Sequence, residues 1–116
     1  MSYRIDYQAR EGVLAAIVSG KSKYAARIGR DLGAQARERA ARDLLIDLRS
    51  LDDRVGNLRT LLAGPAHAVH GRIAVLDVVE NDRYYAFAEA VARSLGCTLR
   101  HFADAESAIG WLSRKK

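Results

Sequence analysis

The stretch RIAVLDVVENDRYYAFAEAVARSLGCTLRHF, residues 72–102, decides the fold. Residues 72–79 form a nearly unbroken apolar run, the pattern of a central strand covered on both faces. Residues 81–96 switch to a helical period. Tyr84, Phe87, Ala88, Val91 and Leu95 share one face, which leaves Tyr85 pointing off it. Asn81 or Asp82 is placed to cap the helix and Gly96 to close it. Residues 97–102 return to strand. A strand, a helix and a second strand in this order imply a crossover, and so a parallel pair.

Working backwards, DLLIDL (43–48) reads as a second central strand. A short helix follows it, with Val55, Leu58, Leu61 and Leu62 turned inward. Asp52 or Asp53 is the expected N-cap, and the Gly64–Pro65 pair the expected stop. From about Ser22, Tyr24, Ile28, Leu32, Ala36 and Ala40 recur every fourth residue as one apolar stripe. Gly29 and Gly33 interrupt that helix, either to permit close packing or to let it fray. YRIDYQA (3–9) alternates Tyr3, Ile5 and Tyr7 with Arg4, Asp6 and Gln8, a half-buried strand. REG (10–12) is a turn, and VLAAIVS (13–19) completes an antiparallel hairpin.

Working forwards, DAESAIGWL (104–112) begins with an acidic cap. It buries Ala105, Ala108, Ile109 and Leu112. The predicted order is β-β-α-β-α-β-α-β-α: a single α/β domain over residues 1–116. An N-terminal antiparallel hairpin joins parallel strands in one mixed β-sheet with helices packed on it.

The chain has 116 residues, 49% of them hydrophobic and 28% charged, which suits a globular domain with its own core. The single cysteine, Cys97, cannot form an internal disulfide, so a reducing, cytoplasmic setting is expected. The opening MSYRIDYQAR carries charges at Arg4, Asp6 and Arg10 and lacks the apolar core of a signal peptide. No apolar run reaches the roughly 18 residues of a membrane helix. The net charge of +5 is spread as arginines interleaved with acids, so no specific nucleic-acid binding is expected. Lys23, Arg27, Arg30 and Arg37 do form a basic stripe on one helix face, and a solvated face is its ordinary explanation.

Catalytic patterns are missing. No G-x-S-x-G, no phosphate loop and no Cys–His pair with catalytic logic occurs, and Gly29 and Gly33 lie in a helix rather than after a strand. His67 and His70 have a spacing that can share a metal, but nothing nearby supplies a third ligand. Asp47 and Asp77 stand near the carboxyl ends of the two central strands, the edge where open α/β sheets place ligands. No nucleophile accompanies them. The expectation is a protein without enzymatic activity, cofactor or metal.

Two stretches carry a family resemblance. LLIDLRSLDDRVGNLRTLL (44–62) resembles the central strand, loop and helix of STAS domains, the anti-sigma-factor-antagonist fold. Residues 72–112, with their aromatic pair, Gly stop and Ala108-x-x-Trp111-Leu112 ending, look like the C-terminal half of bacterial SpoIIAA-like proteins, a family with a Sec14-like relation. The opening hairpin fits the same family. The resemblance implies a regulatory or interaction module with a protein partner, a homodimer also being open. In phosphorylatable members a serine follows the strand by about ten residues, at a helix start that suits a phosphate. Here that position is Asn57, which cannot be phosphorylated, and Ser50 comes too early, in the loop before the helix.

The expected contact surface is therefore Ser50, Asp52, Asp53, Arg54 and Asn57, polar residues on a loop held by a central strand. The alternative, implied by the Sec14-like relation, is a small apolar-ligand carrier. Its pocket would lie between sheet and helix, lined by Tyr84, Tyr85 and Phe87. A third reading is an anionic partner on the Lys23–Arg37 stripe.

Overall fold

The structure, a computed structural model, describes residues 3–10 and 13–114. The expected Glu11–Gly12 turn lies outside the described residues. Strands β1 (Tyr3–Arg10) and β2 (Val13–Lys21) form the antiparallel pair. Helix α1 (Ala25–Glu38) leads to β3 (Asp43–Asp52), α2 (Leu58–Ala68) to β4 (Arg72–Leu76), and α3 (Ala86–Ser94) to β5 (Thr98–Phe102). Helix α4 (Ala105–Ser113) follows. The sheet runs β1-β2-β3-β4-β5, parallel from β2 onward.

Strand order that advances one place at each crossover puts all three crossover helices on one face, because the crossovers share one hand. The core divides accordingly. On that face Leu14, Ala16 and Val18 of β2 and Leu44, Ile46 and Leu48 of β3 meet Ile28 and Leu32 of α1, Leu61 of α2 and Ala88 of α3. On the other face a smaller cluster joins Leu45, Ala74 and Leu76 to Ala108, Trp111 and Leu112 of α4. Asp104 caps α4 as expected, accepting from the Ser107 amide at 2.7 Å.

The small residues of α1 and α2 belong together. A Cβ on Gly64 would lie 2.1 Å from the Gly29 carbonyl oxygen, and one on Gly29 would lie 2.5 Å from that of Leu61. The two helices thus touch backbone to backbone, which settles the role of Gly29 as packing. The Gly64–Pro65 pair does not stop α2, which continues to Ala68. Pro65 has no N–H to give the Leu61 carbonyl. That carbonyl is the one that lies against Gly29 of the neighbouring helix.

Three further expectations are corrected. The third strand extends past Leu48 to Asp52, because β2 is long enough to pair with it up to Lys21↔Asp52. A register shift between Ile17↔Asp47 and Ser19↔Ser50 sets two residues of β3, Leu48 and Arg49, against Val18 of β2. This lets both Leu48 and Leu51 reach the same core, and it makes Ser50 a strand residue rather than a loop residue. The α3 segment begins as a 3₁₀ turn over Val79–Tyr85. The tighter winding rotates the aromatic register. Tyr85 is fully buried, whereas Tyr84 and Phe87 are exposed. Ile109, expected inside, is also exposed, since α4 covers β4, β5 and the Leu45 position of β3 but leaves the rest of that face open, and Ile109 borders the open part.

Candidate functional site

The parallel strands deliver their carboxyl ends to one edge of the sheet, where the β3–α2 and β4–α3 connections meet. Asp77, the first residue past β4, is fully buried. Its Oδ1 accepts from Arg54 Nε at 2.8 Å, from Asn81 Nδ2 at 3.1 Å and from the Val78 amide at 2.7 Å. Its Oδ2 accepts from the Tyr85 hydroxyl at 2.6 Å. Arg54 also donates to the Leu51 carbonyl at 2.9 Å, so it ties the end of β3 to the end of β4. Burial pushes the Asp77 carboxyl up, but the Arg54 and Tyr85 hydrogen bonds and the Val78 amide outweigh it. The net effect is a carboxyl below its ordinary range. The Tyr85 hydroxyl is pushed well up, by burial first and then by Asp77.

His101 on β5 closes this network. Its ring stacks on Tyr85 with centroids 4.8 Å apart and planes within 5°. Nε2 lies 2.9 Å from the Asp77 carbonyl and Nδ1 2.7 Å from an Asp82 carboxylate oxygen. Asn81 and Asp82, expected as helix caps, instead fasten the 3₁₀ turn to Asp77 and His101.

On the β3 side, Asp53 takes a left-handed φ of 53°, which turns its carbonyl to accept from Ser22 Oγ at 2.7 Å. Asn57 Nδ2 donates to the same hydroxyl at 2.9 Å. Neither Asp52 nor Asp53 caps α2; Asn57 occupies that position without a side-chain cap bond. The Asn57 amide is thus spent on holding the loop to Ser22, in the segment between β2 and α1. Asp52 pairs loosely with Lys21 at 3.7 Å, with both side chains exposed. The predicted contact residues Asp53, Arg54 and Asn57 come together around this connection. Ser50 and Asp52 lie beside it on the last residues of β3. Val55, Val78 and Val79 are exposed along the same edge.

Asp47 and Asp77 do not form an acid–base pair. Asp47 is held by Arg49, with Nη2 at 2.8 Å. Burial raises its carboxyl, the Arg49 bonds lower it further, and it too ends below its ordinary range. Two carboxylates kept ionised by separate arginines are anchors, not proton donors at neutral pH. His67 gives its Nδ1 hydrogen to the Ala63 carbonyl at 2.8 Å. Among the described residues no three metal-ligating side chains converge.

Tyr84, Tyr85 and Phe87 do not line one cavity. Tyr85 belongs to the Asp77 network, Arg83 donates to the Tyr84 hydroxyl, and Phe87 lies under the Arg59 guanidinium at 4.1 Å. The apolar groove lies elsewhere, on the half of the sheet that α4 leaves open. It measures about 780 Å³ and is lined by Val13, Ala15, Ile17 and Leu45, with Ile109 and Leu112 as its wall and Gln8, Asp47 and Arg49 as polar lining. The sequence signal for it was weak, because small residues on β2 look the same under a helix as in the open. Tyr85 and Asp77 were legible as residues, but their bond depends on the 3₁₀ turn.

A mixed five-stranded sheet in sequential order, with three crossover helices on one face and a final helix on the other, is the STAS, or SpoIIAA-like, fold. Solved structures agree. The chain is similar to an anti-sigma factor antagonist from Mycobacterium paratuberculosis, with a TM-score of 0.67 and 17% identity over 97% of this chain and 96% of that one. It is also similar to an uncharacterised protein with a SpoIIAA-like fold from Shewanella loihica, with a TM-score of 0.55 and 19% identity over 96% of this chain and 94% of that one. At these identities the likeness is one of fold. No family model matches the sequence, and no curated protein matches it. No helix among the described residues is long and apolar enough to cross a membrane.

Proposed function

We propose that this chain is a non-enzymatic regulatory module that binds a protein partner through the edge formed by the β3–α2 and β4–α3 connections. The observation that carries this reading is the Arg54–Asp77 bridge. It joins two loops into one preorganised platform, which lowers the ordering cost of binding. Around it stand Ser50, Asp52 and Asp53, with Val55, Val78 and Val79 as exposed apolar contacts. The shared fold with an anti-sigma factor antagonist points to an anti-sigma factor as the class of partner. Asn57 at the expected acceptor position supports a module whose partner binding is not gated by phosphate there.

The test is calorimetry against purified candidate anti-sigma factors, with Asp52→Arg, Val79→Asp and, from the far face of α1, Arg37→Glu. The first two should weaken binding at least about tenfold with unchanged melting, the size expected for contact residues. Arg37→Glu should bind like the wild type. Equal affinity for all three excludes this edge.

The open groove favours a second reading, an apolar small molecule held between β2, β3 and α4. Its volume falls within the roughly 300–1,000 Å³ of ligand pockets. Native mass spectrometry of the freshly purified protein decides it: a clean apo mass counts against the carrier.

A further inference from the structure

Strand β1 stands at the end of the sheet, and among the described residues no strand pairs with its outer edge. All eight of its residues are in unbroken register with β2, so the edge is regular. Of the usual guards of an exposed edge it has only charged side chains, Arg4 and Asp6, which carry opposite signs. No proline, lysine or bulge interrupts it. The opposite edge strand, β5, has only five residues and carries the exposed Arg100 in its middle.

The side chains of β1 select a partner for this edge. Tyr3, Ile5 and Tyr7 turn to the helix-covered face and pack against the core. Arg4 and Asp6 turn to the open face, exposed at 77% and 50%, with Arg4 Nε 3.0 Å from Asp6 Oδ1. In an antiparallel pair, residues directly opposite must direct their backbone groups the same way, so two copies of one strand can pair only where the residue numbers sum to an even value. Pairing that sets Ile5 opposite Ile5 also sets Arg4 opposite Asp6, twice by symmetry, and Tyr3 opposite Tyr7. Sliding by one permitted step in one direction puts Arg4 against Arg4, and in the other Asp6 against Asp6. Like charges directly opposite are destabilising, and opposite charges stabilising. The strand is therefore self-complementary in one register and self-repelling in both neighbours.

We propose that β1 pairs edge to edge with β1 of a second copy of this chain, antiparallel and centred on Ile5, so that one sheet runs through a two-fold dimer. The contact is isologous, as two-fold symmetry requires. It leaves the Arg54–Asp77 edge free in both copies.

Sedimentation equilibrium over the micromolar to submillimolar range tests it with exposed substitutions. The wild type should show a concentration-dependent dimer. Arg4→Asp alone and Asp6→Arg alone each turn both opposite-charge pairs into like pairs, and should raise the dissociation constant about tenfold or more. Mixing the two variants brings only opposite charges together and should restore a dimer containing one of each. The doubly exchanged R4D/D6R chain should dimerise like the wild type, which separates loss of pairing from misfolding. A wild type that stays monomeric throughout overturns the proposal. So do single variants that dimerise as well as the wild type, and so does a mixture that stays monomeric.

Discussion

The guanidinium of Arg54 crosses from the end of β3 to the buried carboxylate of Asp77 at the end of β4, with Nε 2.8 Å from Oδ1. Asp77 is fully buried and Arg54 nearly so, at 15% exposure. Removing one partner leaves a charge in the interior with its main counter-ion gone. Arg54→Ala should therefore cost about 3 kcal/mol in urea unfolding, at the lower end for a broken buried pair because Tyr85, Asn81 and the Val78 amide remain. A loss under about 0.5 kcal/mol, the range of ordinary surface substitutions, would show that the bridge is not holding the two loops.

The same carboxylate sets an acid limit. Asp77 and Asp47 both lie below the ordinary value of 3.8 in the folded chain. In the unfolded chain each returns to about 3.9. A depressed folded value contributes stability that is complete above the unfolded value and is lost as pH falls through the folded one. Urea midpoints should thus be flat with respect to these two groups at neutral pH and decline below about pH 4. Asp77→Asn should lower the plateau and make the decline shallower. An equally steep decline in that variant would assign the acid limit to other groups.

Much of this arrangement was legible. The β-β-α-β-α-β-α-β-α order follows from period and breakers, and the resemblance on residues 44–62 and 72–112 agrees with the fold found. Three features were not legible, each for a local physical reason. Ser50 reads as loop, because a strand's end is set by its neighbour's length. Tyr85 reads as exposed, because a helical period of 3.6 was applied across a 3₁₀ turn. The stop at Gly64–Pro65 was read from local chemistry alone, whereas the backbone contact with Gly29 lies on another helix. At the site, Arg54 and Asn57 were identifiable as polar loop residues. Their partners Asp77 and Ser22 are distant in sequence, so only the fold joins them.

The helix contact gives a paired prediction on glycines. In an exposed helix interior, Gly→Ala gains about 0.5–1 kcal/mol from propensity alone. Gly110 in α4 meets nothing within 4 Å of an added Cβ, so Gly110→Ala should raise stability by about that amount. Gly64→Ala has the same propensity gain, but its Cβ would lie 2.1 Å from backbone that cannot rotate away. The helices must move apart, and a net loss of about 2 kcal/mol or more is expected, as for an overpacked core. Thermal unfolding of the two variants should shift in opposite directions. A neutral Gly64→Ala would mean that the two helices can separate freely.

Two tyrosines test the buried polar network from opposite sides. The Tyr85 hydroxyl donates to Asp77 Oδ2 at 2.6 Å in the interior. Tyr85→Phe removes a bond to a charged acceptor and should cost about 1.5–3 kcal/mol. The Tyr7 hydroxyl is buried with no hydrogen-bond partner among the described residues, and burial pushes it up to about 12. Desolvating a hydroxyl without a bond in return is a cost that folding bears at this position. Tyr7→Phe keeps the ring against the core, where Arg39 lies over it at 5.6 Å, and removes that cost. It should leave stability unchanged or raise it by up to about 1 kcal/mol. Chemical denaturation of both variants at neutral pH gives the comparison. If both substitutions destabilise alike, the Tyr7 hydroxyl has a partner, and the difference in environment argued for the two rings is wrong.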